Sequence, residues 1–259
     1  MPRLLAAFLL TLVPLAALRA APFTAFRDGE SFTYKVGFAI FPRAGEITIA
    51  AQAVTGATGQ PAMRVTTTTT TKGFVRGVYP LDNAAEVLID RASGRALNVR
   101  EKGADSKRAT DTETTFDYTQ RIAHHVDRVR PERTTDLPIP DGDPLDLISA
   151  LVQSRDWGLK PGDTRPLLVH FGRDLYELTL HAEGYEEVRT PLGKFKALVL
   201  VPRMEQNPKG LFKRGGEIKV WIAQDGSNLP VKMQLVLKYG TASLLLTEHR
   251  AGADTAAKP

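Results

Sequence analysis

The chain has 259 residues, 42% of them hydrophobic and 24% charged, with no cysteine and a formal net charge of +5. That length and apolar content are enough to bury a core, and the missing cysteines exclude a disulfide framework and a lipid-modified cysteine anchor. The positive balance is mild and gives no general argument for nucleic acid as a partner.

Residues 1–20, MPRLLAAFLLTLVPLAALRA, place Arg3 before an uncharged run from Leu4 to Leu18 and small residues around Ala20. This is the layout of a secretory signal peptide, with cleavage expected after Ala20, and the run is short for a membrane span. Beyond it no apolar stretch approaches the roughly eighteen residues a spanning helix needs. The expected organisation is a signal peptide over 1–20, a single β-rich domain over 21–250 and a flexible tail over 251–259. The expected compartment is the periplasm of a Gram-negative bacterium.

In SFTYKVGFAI, Phe32, Tyr34, Val36, Phe38 and Ile40 alternate with small or polar residues, the period of a strand with one buried face. GEITIAAQAV follows as a second strand, with FPRAG expected as the reversal between them. The six threonines of MRVTTTTTTKG favour a strand over a linker, because Thr is β-branched while flexible linkers are rich in Gly and Ser. Their faces are a solvated ladder of Thr pairs or the wall of a semi-polar groove, with Thr67 and Thr69 on one side.

GFVRGVYPLD is too short and broken for a regular helix and predicts a turn carrying Phe74 and Tyr79 over a sheet edge. NAAEVLID and ALNVRE predict two strands around RASG, and the charged stretch Arg100–Asp111 a solvated loop. TETTFDYTQRIAHHVDRV returns to strands with a turn near Tyr118–Arg121. One helix is predicted from about Pro144 to Asp156, with Asp143 as its N-cap and Leu147, Leu151 and Val152 on one face. The rest is a meander of strands with turns at Gly172, PLGK, NPKG and DGSN.

No catalytic motif is visible: there is no G-x-S-x-G elbow, P-loop, H-E-x-x-H or cysteine nucleophile. His124 and His125 are neighbours in a strand, so they point to opposite faces, and His170, His181 and His249 lie in separate strands. Asp141, Asp143 and Asp146 lack the ligand alternation, central Gly and late Glu of a calcium loop. No metal, cofactor or catalytic residue is therefore assigned. The loop NPKGLFKRGGEIK sets Lys209, Lys213 and Arg214 around Leu211 and Phe212. It is either a candidate membrane-contact loop or a hairpin connection whose Phe packs back on the sheet. Trp221 shares a strand face with Lys219 and Ala223, opposite Ile218, Val220 and Ile222, so it is either covered or exposed to a groove.

Two segments carry a family resemblance. Trp221, Asp225, Pro230 and Val231 form W-x-x-x-D-x-x-x-x-P-V, and Gly29 to Val36 form G-E-x-x-x-Y-x-V. With GYEEVRTPLGKFKALVLVP they make the chain, from about Phe26 to Thr247, resemble the bacterial domain-of-unknown-function family 3108. The resemblance implies an exported, mostly antiparallel β-protein and supplies no catalytic residues.

The expected fold is mainly β: a single curved antiparallel sheet or half-barrel of ten or more strands, with one short covering helix. A curved sheet under a helix makes a concave pocket the default ligand site. The leading expectation is a non-catalytic envelope protein binding a lipid-like or apolar molecule, with Thr67, Thr69, Phe74, Tyr79 and Trp221 as lining candidates. The alternatives are a scaffold or assembly partner of envelope proteins working through a sheet edge, and a hydrolase of envelope polymers.

Overall fold

The computed structural model describes residues 23–237 and 240–253; the expected leader lies outside them. The first limb contains β1 (Ser31–Phe38), β2 (Phe41–Thr55), β3 (Pro61–Thr71), a short helix α1 (Gly73–Val78), β4 (Leu81–Asp90), β5 (Ala96–Asp105), β6 (Ala109–Asp117), β7 (Ile122–Asp127) and β8 (Thr135–Pro138). A strap follows, made of β9 (Leu145–Asp146), helix α2 (Leu147–Gln153) and a 3-10 turn, Ser154–Asp156. The second limb is β10 (Thr164–Phe171), β11 (Asp174–Thr190), β12 (Gly193–Arg203), the single turn α3 (Gly210–Lys213), β13 (Glu217–Ala223), β14 (Pro230–Leu237) and β15 (Gly240–Arg250).

All these strands join one open sheet in the order β8-β7-β6-β5-β4-β3-β2-β1-β15-β14-β13-β12-β11-β10-β9. The first and last long strands pair at its centre, Ser31 opposite Arg250 and Phe38 opposite Ala242. Pairing is antiparallel except between β9 and β10. The edges, β8 and β9, share no ladder.

The alternation read in β1 is present, with Phe32 and Tyr34 fully buried. The threonine run is the end of β3, between β2 and β4: Thr67 lies between Ile49 and Ala85, and Thr69 between Ile47 and Asn83. Several boundaries differ from expectation. The first reversal falls at Ala39 and Ile40, with Ala39 at φ 49°, so the Pro and Gly of FPRAG lie inside β2. Arg100–Asp111 is mostly strand: Arg100 opposes Glu113 and Lys102 opposes Asp111, and opposite charges across the ladder support a half-solvated hairpin. GFVRGV closes as helix α1, its capping N–H from Tyr79 donating to the Val75 carbonyl.

Helix α2 starts three residues later than Asp143 would place it. Leu145 and Asp146 are first held as a bridge to Val169 and His170, so Asp146 becomes the N-cap, accepting from the N–H groups of Ile148 and Ser149. The start of the expected tail is also held: the Ala253 N–H donates to the Asp28 carbonyl at 2.8 Å. A Cβ on Gly252 would lie 2.6 Å from that carbonyl oxygen, so the close approach requires glycine.

Strand β10 shows how the sheet rolls. Leu168, Val169 and His170 are consecutive and all buried, which one-sided packing cannot achieve in a strand. Val169 joins Ala150 of α2, Tyr176 and Leu178 in a small apolar cluster. On the other face the His170 ring meets Phe116 of β6 edge-on at 5.5 Å. The two limbs thus close through side chains where no backbone ladder forms.

The strap is pinned across the interior. The Arg155 guanidinium donates to both carboxylate oxygens of Glu30, at 2.9 and 2.7 Å, and both side chains are buried. His249 Nε2 lies 3.0 Å from the same carboxylate, and the guanidinium sits 5.3 Å from the Phe32 ring centre. Burial pushes the Glu30 carboxyl up, but Arg155, with His249 and the Arg27 N–H, outweighs it and holds the group below the ordinary carboxylate range.

Removing one member of a buried ion pair leaves the other uncompensated, which costs roughly 3–5 kcal/mol. Glu30→Gln and Arg155→Met should each lower unfolding stability in urea by about that amount, and the double variant should lose clearly less than the sum. Additive losses would show that the pair is not coupled.

His170 is held neutral because burial, with the charge of His125, lowers its pKa to about 4 from 6.5, and its Nε2 has no hydrogen-bond partner among the described residues. A depressed folded-state pKa contributes stability that is complete above about 6.5 and is lost as pH falls toward 4. Stability should therefore decline across that window by about 3 kcal/mol. Melting curves of His170→Leu should be flatter there, while the Glu30 contribution disappears only below about pH 4.5. An unchanged pH profile in His170→Leu would refute the assignment.

Candidate functional site

At one end of the roll a cleft of about 1750 Å³ lies above the Arg155–Glu30 pair. Its walls come from segments far apart in sequence: residues 23–30, the β2–β3 and β4–β5 ends at Pro61 and Arg91, the strap end from Ser154 to Lys160, and the β13–β14 turn from Gln224 to Leu229. Leu198 and Leu200 of β12 and Ile222 of β13 form an apolar wall. Their side chains share the inner face with Phe32 and Tyr34 because the registers of β12, β13, β14 and β15 carry that face across the sheet.

The floor is polar but internally satisfied. Glu30 is held by Arg155 and His249, and the Asp156 carboxylate above them accepts from the Thr24 hydroxyl at 2.8 Å. Phe23 packs on Phe26 with ring centres 6.1 Å apart, closing the side formed by the N-terminal segment. Tyr185 is 46% exposed and Leu159 half-buried, so both present apolar surface at the mouth. The tight turn opposite is set by Asp225, which accepts from the Ser227 N–H and hydroxyl, with Gly226 at φ 89°.

The residues expected to line a groove do not converge on one: they fall on the inner face of β3, on α1 and its cap, and on the outer face of β13. Thr67 is buried and Thr69 half-buried on the inner face of β3. Phe74 is 69% exposed and stacks on Phe41 at 5.3 Å, while the Tyr79 hydroxyl donates to Asp105. Trp221 is buried on the outer face, where its indole N–H donates to Glu186 at 2.8 Å and the Lys232 ammonium lies 4.0 Å from the ring. None of the five borders the cleft. In the basic loop, Leu211 and Phe212 pack into the protein, Phe212 against Tyr176, while Lys209 sits over the Tyr176 ring and Lys213 and Arg214 stay exposed.

The cleft residues that sequence reading misses are Phe23, Phe26, Glu30, Arg155, Leu159 and His249. Glu30 stands inside G-E-x-x-x-Y-x-V without a readable role, since its partner is 125 residues away. Histidines 124 and 125 do point apart, His124 to Asp136 at 2.7 Å and His125 to the Thr114 hydroxyl at 2.9 Å. The three aspartates do not converge either: Asp143 pairs with Arg95, and Asp146 caps α2. Among the described residues no group of three or more His, Asp or Glu is placed to hold a metal, and no helix is long and apolar enough to cross a membrane.

Comparison with solved structures shows a shared fold with one beta-barrel-like protein. A crystal structure of the beta-barrel-like protein of domain of unknown function DUF1849 from Brucella abortus superimposes with a TM-score of 0.52 at 9% identity, covering 86% of this chain and 98% of that one. A presumed exported protein with a YmcC-like fold from Bacteroides fragilis covers 90% of this chain at 15% identity and all of its own length, with a TM-score of 0.34. A presumed lipoprotein from Parabacteroides distasonis covers 88% at 11% identity and 97% of its own length, with a TM-score of 0.31. No protein with a curated description matches the chain. The family model of the protein of unknown function DUF3108 matches residues 33–247, spanning the sheet from β1 to β15, and the chain belongs to that family.

Proposed function

We propose that this protein is a non-catalytic, exported envelope protein that binds an amphipathic, lipid-like molecule in the cleft above Arg155. The observation that carries the reading is the combination of size and lining: a cleft of about 1750 Å³ with an apolar wall of Leu198, Leu200 and Ile222 and polar groups at its rim. That volume exceeds the few hundred to about 1,000 Å³ of common small-molecule pockets and suits a ligand with an extended apolar part. Export is supported by the N-terminal segment with Arg3 and the run Leu4–Leu18.

Two features weigh against the alternatives. A hydrolytic role needs a free base beside a nucleophile, whereas the Glu30 oxygens are occupied by Arg155 and His249, and the neighbouring Ser154 hydroxyl donates to the Leu151 carbonyl at 2.7 Å. Scaffolding by strand addition needs a long flat free edge; the edge strands Thr135–Pro138 and Leu145–Asp146 are short, and the part of β10 that β9 leaves uncovered, Thr164–Leu168, is blunted by Arg165 and Pro166.

Native mass spectrometry of protein purified from the periplasm without detergent, followed by organic extraction, tests the reading. A co-purifying or added phospholipid should be retained by the wild type and by Trp221→Ala, whose side chain lies on the far face. Leu159→Asp/Tyr185→Asp, at the mouth, should cut occupancy at least tenfold while the far-ultraviolet circular dichroism is unchanged. A clean apo mass that takes up no lipid on incubation would end the proposal.

A further inference from the structure

The end of the roll opposite the cleft collects the connections β1–β2, β3–β4, β5–β6, β7–β8, β10–β11, β12–β13 and β14–β15, because antiparallel neighbours reverse direction at each turn. Exposed large apolar side chains gather there: Ile40 is 84% exposed, Phe74 69%, Val78 68%, Phe171 58% and Leu237 37%. Contacts join several of these turns. Phe41 beside Ile40 stacks on Phe74 of α1, and the Ala39 N–H donates to the Thr241 carbonyl next to the β14–β15 turn. Scattered exposed apolar residues need no explanation, but a grouped set on turn tips marks a contact surface.

The same end is basic. Lys72 is paired with Glu46 and Arg76 with Asp82, while Arg43, Lys107, Lys213 and Arg214 are exposed and have no carboxylate partner among the described residues. At the cleft end, the connections 56–60, 139–144, 191–192 and 224–229 contain no Lys or Arg. Arg95 and Arg121 there are turned onto Asp143, Arg155 onto Glu30 and Lys194 onto Glu187, and Lys160 stays exposed. Exposed cations therefore stand among the apolar tips, although the cleft end also carries exposed Lys160, Arg165, Lys196 and Arg250, which have no apolar cluster of that size beside them.

We infer that this end docks on an anionic lipid bilayer. Apolar tips ringed by cations match the two layers they would meet: acyl chains within about 5–10 Å of the surface take Ile40, Phe74 and Val78, and phosphates above them face Arg43, Lys107 and Lys213. The tips project from several separate turns. A fluid bilayer closes around separate projections, whereas a folded protein would need a matching set of pits. The surface includes the basic loop around Lys213, but its penetrating groups are on β1–β2 and α1, since Leu211 and Phe212 pack inward. The inference does not depend on what the cleft holds.

Co-sedimentation with phosphatidylglycerol–phosphatidylcholine vesicles, against phosphatidylcholine alone, tests it. Binding should favour the anionic vesicles and weaken with added salt. Ile40→Ser/Phe74→Ser should reduce partitioning at least tenfold, and each of Arg43→Gln, Lys107→Gln and Lys213→Gln by about fivefold, with melting temperatures preserved. Leu159→Asp/Tyr185→Asp should bind vesicles like the wild type, which separates this surface from the cleft. Failure to bind anionic vesicles, or binding indifferent to Ile40→Ser/Phe74→Ser, would overturn the inference. So would vesicle-free self-association that Phe74→Ser abolishes, which would assign the patch to a second copy of the chain.

Discussion

The buried Arg155–Glu30 pair fixes the strap, which the sheet itself holds only through a two-residue strand. A meander of antiparallel strands specifies its own neighbours, but the strap leaves the first limb at β8 and re-enters at β10 through a segment with only a two-residue strand. Two hydrogen bonds from the guanidinium, a third contact from His249 and the Phe32 ring beneath it offset the cost of taking both charges out of water. An apolar pair of similar volume could match its stability, yet would accept several positions. The bidentate geometry accepts one, so the pair acts on specificity more than on net energy.

Once the strap is fixed, the rest of the interior follows. Helix α2 presents Ala150 to Val169, Tyr176 and Leu178 in the small cluster that covers one face of β10, while Phe116 meets His170 on the other. Because the roll is closed by side chains, it has no continuous ladder to draw its mouth shut, and space remains at the end where Arg155 stops the strap. The two segments that carry the family resemblance also meet in space: the Tyr34 hydroxyl donates to the Pro230 carbonyl at 2.9 Å across 196 residues. That bond ties β1 to the start of β14, beside the turn that forms one wall of the cleft.

Much of the sheet is legible in the sequence because period-two alternation is a local signal: Phe32 and Tyr34, or Val65 and Thr67, show their faces without knowledge of neighbours. The outer part of the hairpin β5–β6, Arg100–Asp111, is not, since it is nearly all charged or small and only the cross-strand register, such as Lys102 with Asp111, makes it a ladder. The start of α2 is misplaced for a related reason. Asp143 and Asp146 both suit an N-cap, and the choice depends on a bridge to Val169 and His170 that no local pattern records. Alternation assigns Trp221 to the correct face, but what covers it, Glu186 and Lys232, comes from register across two other strands. The cleft is illegible as a unit because its walls come from stretches of chain that meet only in the folded roll.

The two ends of the roll also constrain how they can work together. Strand β1, eight residues long, separates the Ile40 turn from Glu30, a distance of about 26 Å at the usual rise. A molecule docked through Ile40 and Phe74 therefore holds the cleft mouth on the side away from the bilayer, beyond the reach of a lipid still in its leaflet. In that orientation a ligand of the proposed kind would enter the cleft from the aqueous side. Under the two proposals docking and filling would be separable events: a bilayer contact would set where the cleft is held without supplying what enters it.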